Sequence, residues 1–465
     1  MLEKIKFLKS HRKFSFAFLA IIAFWYLSLF PGRLGYDYSL AIKMIQQGKS
    51  TDWWTSLFFW YLKISSFNGN SIFVPALLGL ISLAFSLVFL ISAFSQSLKV
   101  RMWAVIVISL TPLFGVFGVT VSHDVFQTAG IIILVGVELR FIQKMYISNP
   151  ELITVILIAF IFLLSVKTGP FFILFGLISL AIRKKVRIIL ITMPFIVILY
   201  FASSIGVSTD FMKDTKYYPM IADLKCIAQH PEAEITSDEW KFLEQIAPKQ
   251  IWVEELSCST VGSASNVINS PDFQLNLNGQ FWRNYFGITS KNPAIFMMAH
   301  LQRSRGALPP PFFQGPENQV SYDINLPIGF GTNTALQSGP ELLHPSIDEP
   351  SVDINIRILK PLEFFAQSPT FLVNQASWFW GWGGIWLIPI MYFWVKNFKN
   401  SKISTRLISL YPIYLLHLSL IILTPGALGR YYMSTILIGV TASIVILLEF
   451  FAKVQNTSSG DEQLI

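Results

Sequence analysis

Apolar runs long enough to lie across a lipid bilayer recur along this chain, and that repetition constrains its fold more than any motif does. Ten runs can be drawn, near residues 14–30, 72–95, 103–120, 125–139, 151–166, 170–182, 188–206, 373–395, 407–424 and 431–451. Backbone surrounded by hydrocarbon must satisfy its own hydrogen bonds, so runs of this kind become helices. Composition agrees, with 53% of the 465 residues hydrophobic and 13% charged. Soluble chains carry about twice that share of charge. A soluble enzyme, a disordered chain, a collagen-like repeat and a disulfide scaffold are excluded. The expected fold class is an all-α polytopic membrane protein with about 10 transmembrane helices. The fifth and sixth runs are short, and Lys167-Thr168-Gly169-Pro170 divides them. A hairpin and a single bent helix both suit that break.

Sidedness follows from Lys and Arg, which accumulate in cytoplasmic loops. With the N-terminus inside, 18 of the 35 basic residues fall in cytoplasmic segments and 6 in the short outer loops. The other 11 lie in one long hydrophilic segment, 207–372, beside 18 acidic residues. The formal charge of +8 is therefore mostly a topology signal, and no nucleic-acid partner is expected. Both termini are expected in the cytoplasm and 207–372 outside, in an integral plasma (inner) membrane protein. No small-residue cleavage site precedes Pro31, so the first run reads as a retained span. Three domains follow: an N-terminal transmembrane module, 1–206; an extracytoplasmic loop domain, 207–372; and a C-terminal transmembrane module, 373–465.

The outer segments have local order. Leu40, Ala41, Met44 and Ile45 share one face at helical spacing, so 38–50 reads as a short amphipathic helix. Trp53, Trp54, Trp60 and Tyr61 cluster between Asp52 and Lys63, which suits a stretch lying along the membrane interface. In the long segment, 236–248 opens with a capping signature and 292–304 opens with proline, so both read as helices. From 305 to 354 the chain is rich in Gly, Pro, Asn and Ser and should be irregular. Cys226 and Cys258, the only two cysteines, lie in the outer segment. An oxidising compartment allows them to pair, and two separate thiols are the alternative.

No phosphate-cradling glycine loop and no HExxH occurs, and the six histidines are scattered, which leaves nucleotide-loop and zinc chemistry without a motif. What remains is a set of polar residues at the outer ends of the runs: Asp37 and Asp52, His123-Asp124, Lys167, and Arg430 with Tyr431-Tyr432. Any one of them can be a helix cap or a snorkelling side chain. Their agreement on one face, beside a large outer segment, points to a site.

The arrangement resembles the GT-C superfamily of membrane glycosyltransferases, which take sugar from polyprenyl-phosphate or polyprenyl-diphosphate carriers. The resemblance rests on PGRLGYDYS (31–39), SHDVF (122–126), LLSVKTGPF (163–171) and GRYYMS (429–434) in their order along the chain. The stretches at 222–248 and 292–304 also look like the outer domain of bacterial members without an assigned acceptor. The paired-acid motif of protein mannosyltransferases and the WWDYG motif of oligosaccharyltransferases are both absent. The resemblance implies a GT-C-like fold with interfacial helices and one large outer loop domain. It implies transfer of a hexose or pentose from a polyprenyl-phosphate donor to a cell-surface glycan, lipid or protein acceptor. Asp37 would be the general base, and Lys167, Arg430 and Tyr431 would hold the donor phosphate. His123, Asp124 and Asp52 would orient phosphate or sugar, or bind a divalent cation such as Mg or Mn, and the sequence fixes no cofactor. A transporter or flippase for lipid-linked glycan, and a non-catalytic envelope assembly factor, are the rival readings. A transporter would show repeats or midspan charges, but Glu138, Glu449 and His417 are the main ionisable residues near or within the runs. Of these, His417 reads as a satisfied core residue.

Overall fold

The computed structural model describes residues 2–30, 32–34, 36–48, 54–202, 217–254, 258, 267–268, 270, 279–304, 383–397, 408–423 and 432–461. Among these the protein is helical apart from one short parallel bridge between β1 (Arg33–Leu34) and β2 (Thr120–Val121). The first half runs α1 (Leu2–Ser28), α2 (Tyr36–Gln46), α3 (Ser56–Ser65), α4 (Phe73–Phe94), α5 (Leu98–Ser109), α6 (Pro112–Gly118), α7 (His123–Ile142), α8 (Asn149–Leu163), α9 (Gly169–Ile182) and α10 (Val186–Ala202). A second group follows: α11 (Tyr218–Ala228), α12 (Ser237–Ile246), α13 (Lys249–Val253), α14 (Gly279–Lys291) and α15 (Pro293–Ser304). The chain ends with α16 (Leu387–Asn397), α17 (Tyr411–Leu423) and α18 (Met433–Asp461).

Three described helices are long and apolar enough to cross a membrane alone: Phe73–Phe94, His123–Ile142 and Met433–Val454. The α5–α6 pair passes the same test as one span, bent by 62°. Six further apolar helices, including Phe14–Ser28 and the α8 and α9 pair, are shorter. These features are those of a membrane protein. The run at 103–120, read above as a single helix, is broken because Thr111 caps a new helix and Pro112 occupies its first turn. Proline cannot continue the donor ladder of the preceding helix, but it suits the start of the next. Between 151 and 182 the chain forms two helices, α8 and α9, with a break at 164–168. Gly169 sits in close contact at that break, since a Cβ there would stand 1.8 Å from the Leu163 carbonyl oxygen.

The main core is organised around α7, which is buried on nearly every side and packs on α4, α8, α17 and α18. Trp25 of α1 is fully buried, and its indole donates to the Ser109 carbonyl at 2.8 Å. Glu138 on α7 is paired with Arg183 at 2.5 Å and accepts from Ser179 Oγ, so its charge is satisfied between α7 and α9. His417 lies buried with Nε2 3.0 Å from the Thr435 hydroxyl, and Glu449 stands 3.9 Å from Lys396. The helix α2 departs from its amphipathic reading. Five successive residues, Ala41, Ile42, Lys43, Met44 and Ile45, are buried, because α3 packs over it. In α3 itself Phe58, Phe59 and Leu62 are buried, while Trp60 and Ile64 are exposed.

A second, smaller core belongs to α11–α15 and is built from Ile221, Leu224, Leu243, Trp252, Phe281, Tyr285 and Ile288. Thr236 and Glu239 form a reciprocal capping box at the start of α12, and Lys291 reaches Glu239 at 2.8 Å. Burial pushes the Glu239 carboxyl up, but the Lys291 and Thr236 hydrogen bonds prevail and hold it below the usual carboxylate range. Asp223 of α11 is fully buried against α14 and α15. It accepts from the Arg303 guanidinium and from the Tyr285 hydroxyl at 2.9 Å, with His300 Nδ1 at 3.2 Å. Burial, and the Asp223 charge after it, push the Tyr285 phenol well above its ordinary value. Cys226 and Cys258 are joined by a disulfide with their Cα atoms 5.7 Å apart. The two cores meet where α15 packs on α17.

Candidate active site at one end of the helix bundle

Three separate loops are drawn to one end of the bundle. Gly32, just after α1, has φ +126°, and a Cβ there would stand 2.4 Å from the Ala76 Cβ. Only glycine fits that backbone without strain. The chain then pairs Arg33 with Thr120 and Leu34 with Val121. This two-residue clamp sets the start of α2 beside the start of α7. Ser122 caps α7, its hydroxyl accepting from the Asp124 N–H at 2.9 Å. A carboxylate in the first turn of a helix is favoured by the helix dipole, which is a local reason for Asp124.

The clamp brings Tyr38 onto Ser122, His123 and Asp124. The Tyr38 hydroxyl accepts from Ser122 Oγ at 2.8 Å, lies 2.8 Å from His123 Nδ1 and donates to Asp124 Oδ2 at 3.3 Å. Ser122 Oγ is also 3.0 Å from Asp124 Oδ2, and His123 Nε2 is 3.4 Å from Asp124 Oδ1. Phe58 meets the imidazole edge-on at 5.6 Å between centroids, and Trp54 lies 6.3 Å from the Tyr38 ring. The His123 side chain is 25% exposed and that of Asp124 4%. Imidazole is thus the open face of the cluster, oriented from behind by a buried carboxylate and a buried phenol.

The Lys167 turn is tied to the same place. Thr55, which caps α3, donates to the Ser165 carbonyl at 2.9 Å, and Gln127 of α7 donates to the Thr168 hydroxyl at 3.4 Å. Lys167 itself is exposed. Asp37 occupies the first turn of α2, immediately before Tyr38; its side chain is not among those described. Asp52, Arg430 and Tyr431 lie outside the described residues. Tyr432, next to them, is buried at the start of α18.

Among the described residues no group of three or more His, Cys, Asp or Glu side chains could hold a metal ion. The two imidazole nitrogens of His123 already face Tyr38 and Asp124, so the described donors do not make a cation site. Tyr38 and Ser122 were not singled out by the sequence reading. The signals for them are a tyrosine directly after Asp37 and a serine in capping position before His123-Asp124. The chemistry available is that of an oriented imidazole able to contact an anion or carry a proton, beside a helix turn that bears Asp37. No family model matches the chain, and no curated protein or solved structure matches it.

Proposed function

We propose that the protein is a membrane glycosyltransferase of the GT-C type. It moves a sugar from a polyprenyl-phosphate carrier to an acceptor hydroxyl on the extracytoplasmic side of the plasma membrane. The observation that carries this reading is the convergence of the α2 turn bearing Asp37, the Ser122-His123-Asp124 cap and the Lys167 turn at one end of an apolar bundle. On this reading, the ten apolar runs of the sequence separate a cytoplasmic face rich in Lys and Arg from the face that would bear the site and the segment 207–372.

The Asp37 carboxylate takes the proton from the acceptor hydroxyl. The acceptor oxygen then attacks the anomeric carbon, the bond from that carbon to the phosphate oxygen breaks, and the carrier phosphate leaves with the electron pair. Lys167 and Arg430 stabilise the phosphate, the guanidinium in bidentate fashion and with Tyr431 beside it. His123, held by Asp124 and Tyr38, orients the phosphate or sugar, and Asp52 supports the same loop. The test is transfer from a radiolabelled polyprenyl-phosphate sugar pool in membranes, wild type against Asp37→Asn. Unchanged donor consumption across wild type, variant and empty membranes would remove the reading. A transporter would instead move labelled lipid between leaflets without forming glycosylated product.

A further inference from the structure

We infer that α14 and α15, consecutive helices joined at Asn292, present a lipid-seating surface by which the second core rests in the headgroup layer of the bilayer. The unit 217–304 is polarised. Its exposed acidic residues, Glu232, Glu234, Asp238, Glu244 and Glu254, lie on α12, in the connection before it and just after α13, with Lys241 and Lys249 exposed among them. From 279 to 304 the sequence has no Asp or Glu but holds Arg283, Lys291 and Arg303. Two of these bases are committed inside the unit, Lys291 to Glu239 and Arg303 to Asp223. Arg283 is exposed.

The same two helices hold nearly all of the unit's exposed bulk. Among the described residues of 217–304, the large exposed hydrophobic side chains are Val253, Trp282, Phe286, Met297 and Met298. Phe286 is 60% exposed and Met297 52%, while Phe281, Tyr285 and Ile288 of α14 fill the core. Trp282 and Phe286 stack on each other at 6.0 Å. The sequence alone would bury Trp282 and Met297 with Phe281 and Tyr285 on one apolar face. The helix instead turns Phe281 and Tyr285 inward and leaves the other two outside.

Position and charge together select the occupant. The second of the two helices, α15, packs directly on α17, an apolar helix of the bundle, which sets it at the level of the membrane. Tryptophan prefers the headgroup level, and flexible methionines fit a disordered acyl boundary. An exposed arginine beside such residues meets lipid phosphate, whereas the acidic faces of the unit are repelled by it.

The experiment uses the full chain in nanodiscs of phosphatidylcholine with a minority of phosphatidylglycerol. Single cysteines replace Trp282, Phe286, Met297 or Met298, with Asp238→Cys and Glu232→Cys as controls, each labelled with an environment-sensitive fluorophore. The native cysteines are bonded to each other and do not react. The expected result is several-fold stronger quenching by brominated lipid at the four α14 and α15 positions than at 238 and 232, and the reverse with aqueous iodide. Having Met297 and Met298 as neighbours keeps the test open if one variant fails to fold. Iodide quenching equal at all positions would overturn the inference. So would shielding of these positions from both quenchers, which would mean that protein, from a second copy or another segment, covers them.

Discussion

Tyr38 shows how much one hydroxyl can organise. Ser122, His123 and Asp124 all meet at it, and it is buried. Tyr38→Phe keeps the ring against Phe58 and removes only that meeting point. Leaving buried polar partners unsatisfied costs about 1–3 kcal/mol, so the variant should unfold at lower temperature in detergent and lose transfer activity together. Lys167 is the opposite case. It is exposed on a turn, so Lys167→Ala should change stability by less than about 0.5 kcal/mol while weakening donor binding, read as a higher KM with a smaller effect on kcat. Residues of the second kind are legible in a sequence, because a charge after an apolar run stands out. Tyr38 is not, since aromatic residues are 15% of this chain and its partners lie more than eighty positions away.

Helix ends decide most of what happens between elements. The sequence reading places helices at 236–248 and 292–304 from their first turns, and α12 and α15 begin there because Thr236 caps and Pro293 starts them. It draws 103–120 as one span because hydropathy does not register that Thr111-Pro112 restarts the helix. It also draws α2 as amphipathic, since a window cannot anticipate that tertiary neighbours will bury Ile42 and Lys43 as well. Two predictions belong at this scale. Gly32→Val would strain the clamp, because its φ of +126° and the Ala76 Cβ at 2.4 Å leave no room. Such strain costs about 1–3 kcal/mol, and transfer should fall as α2 shifts from α7. Glu239 supplies the second. Its folded carboxyl is held below its ordinary value, so its stabilisation is fully present above the unfolded value and is lost as pH falls through the folded one. Urea titrations of wild type and Glu239→Gln should therefore converge in acid and differ at neutral pH, where the lost cap costs about 0.5–2 kcal/mol.

At the scale of the molecule, two cores share one chain, and a disulfide within the smaller one closes a loop with a sequence separation of 32. Replacing Cys226 and Cys258 by Ser should destabilise that unit by about 2–4 kcal/mol. The all-α membrane character was readable because hydrocarbon imposes the same demand on every span. The site was readable only as a common face, because the clamp that assembles it is a two-residue bridge between segments with no strand signal. The central claim is that Asp37, at the turn where this clamp delivers α2, is the base for sugar transfer. Its most direct test is purified Asp37→Asn, with donor binding and single-turnover transfer measured side by side. The account predicts a folded protein that still binds the polyprenyl-phosphate donor and transfers about 10²–10⁴-fold more slowly. A folded variant transferring at the wild-type rate would contradict it.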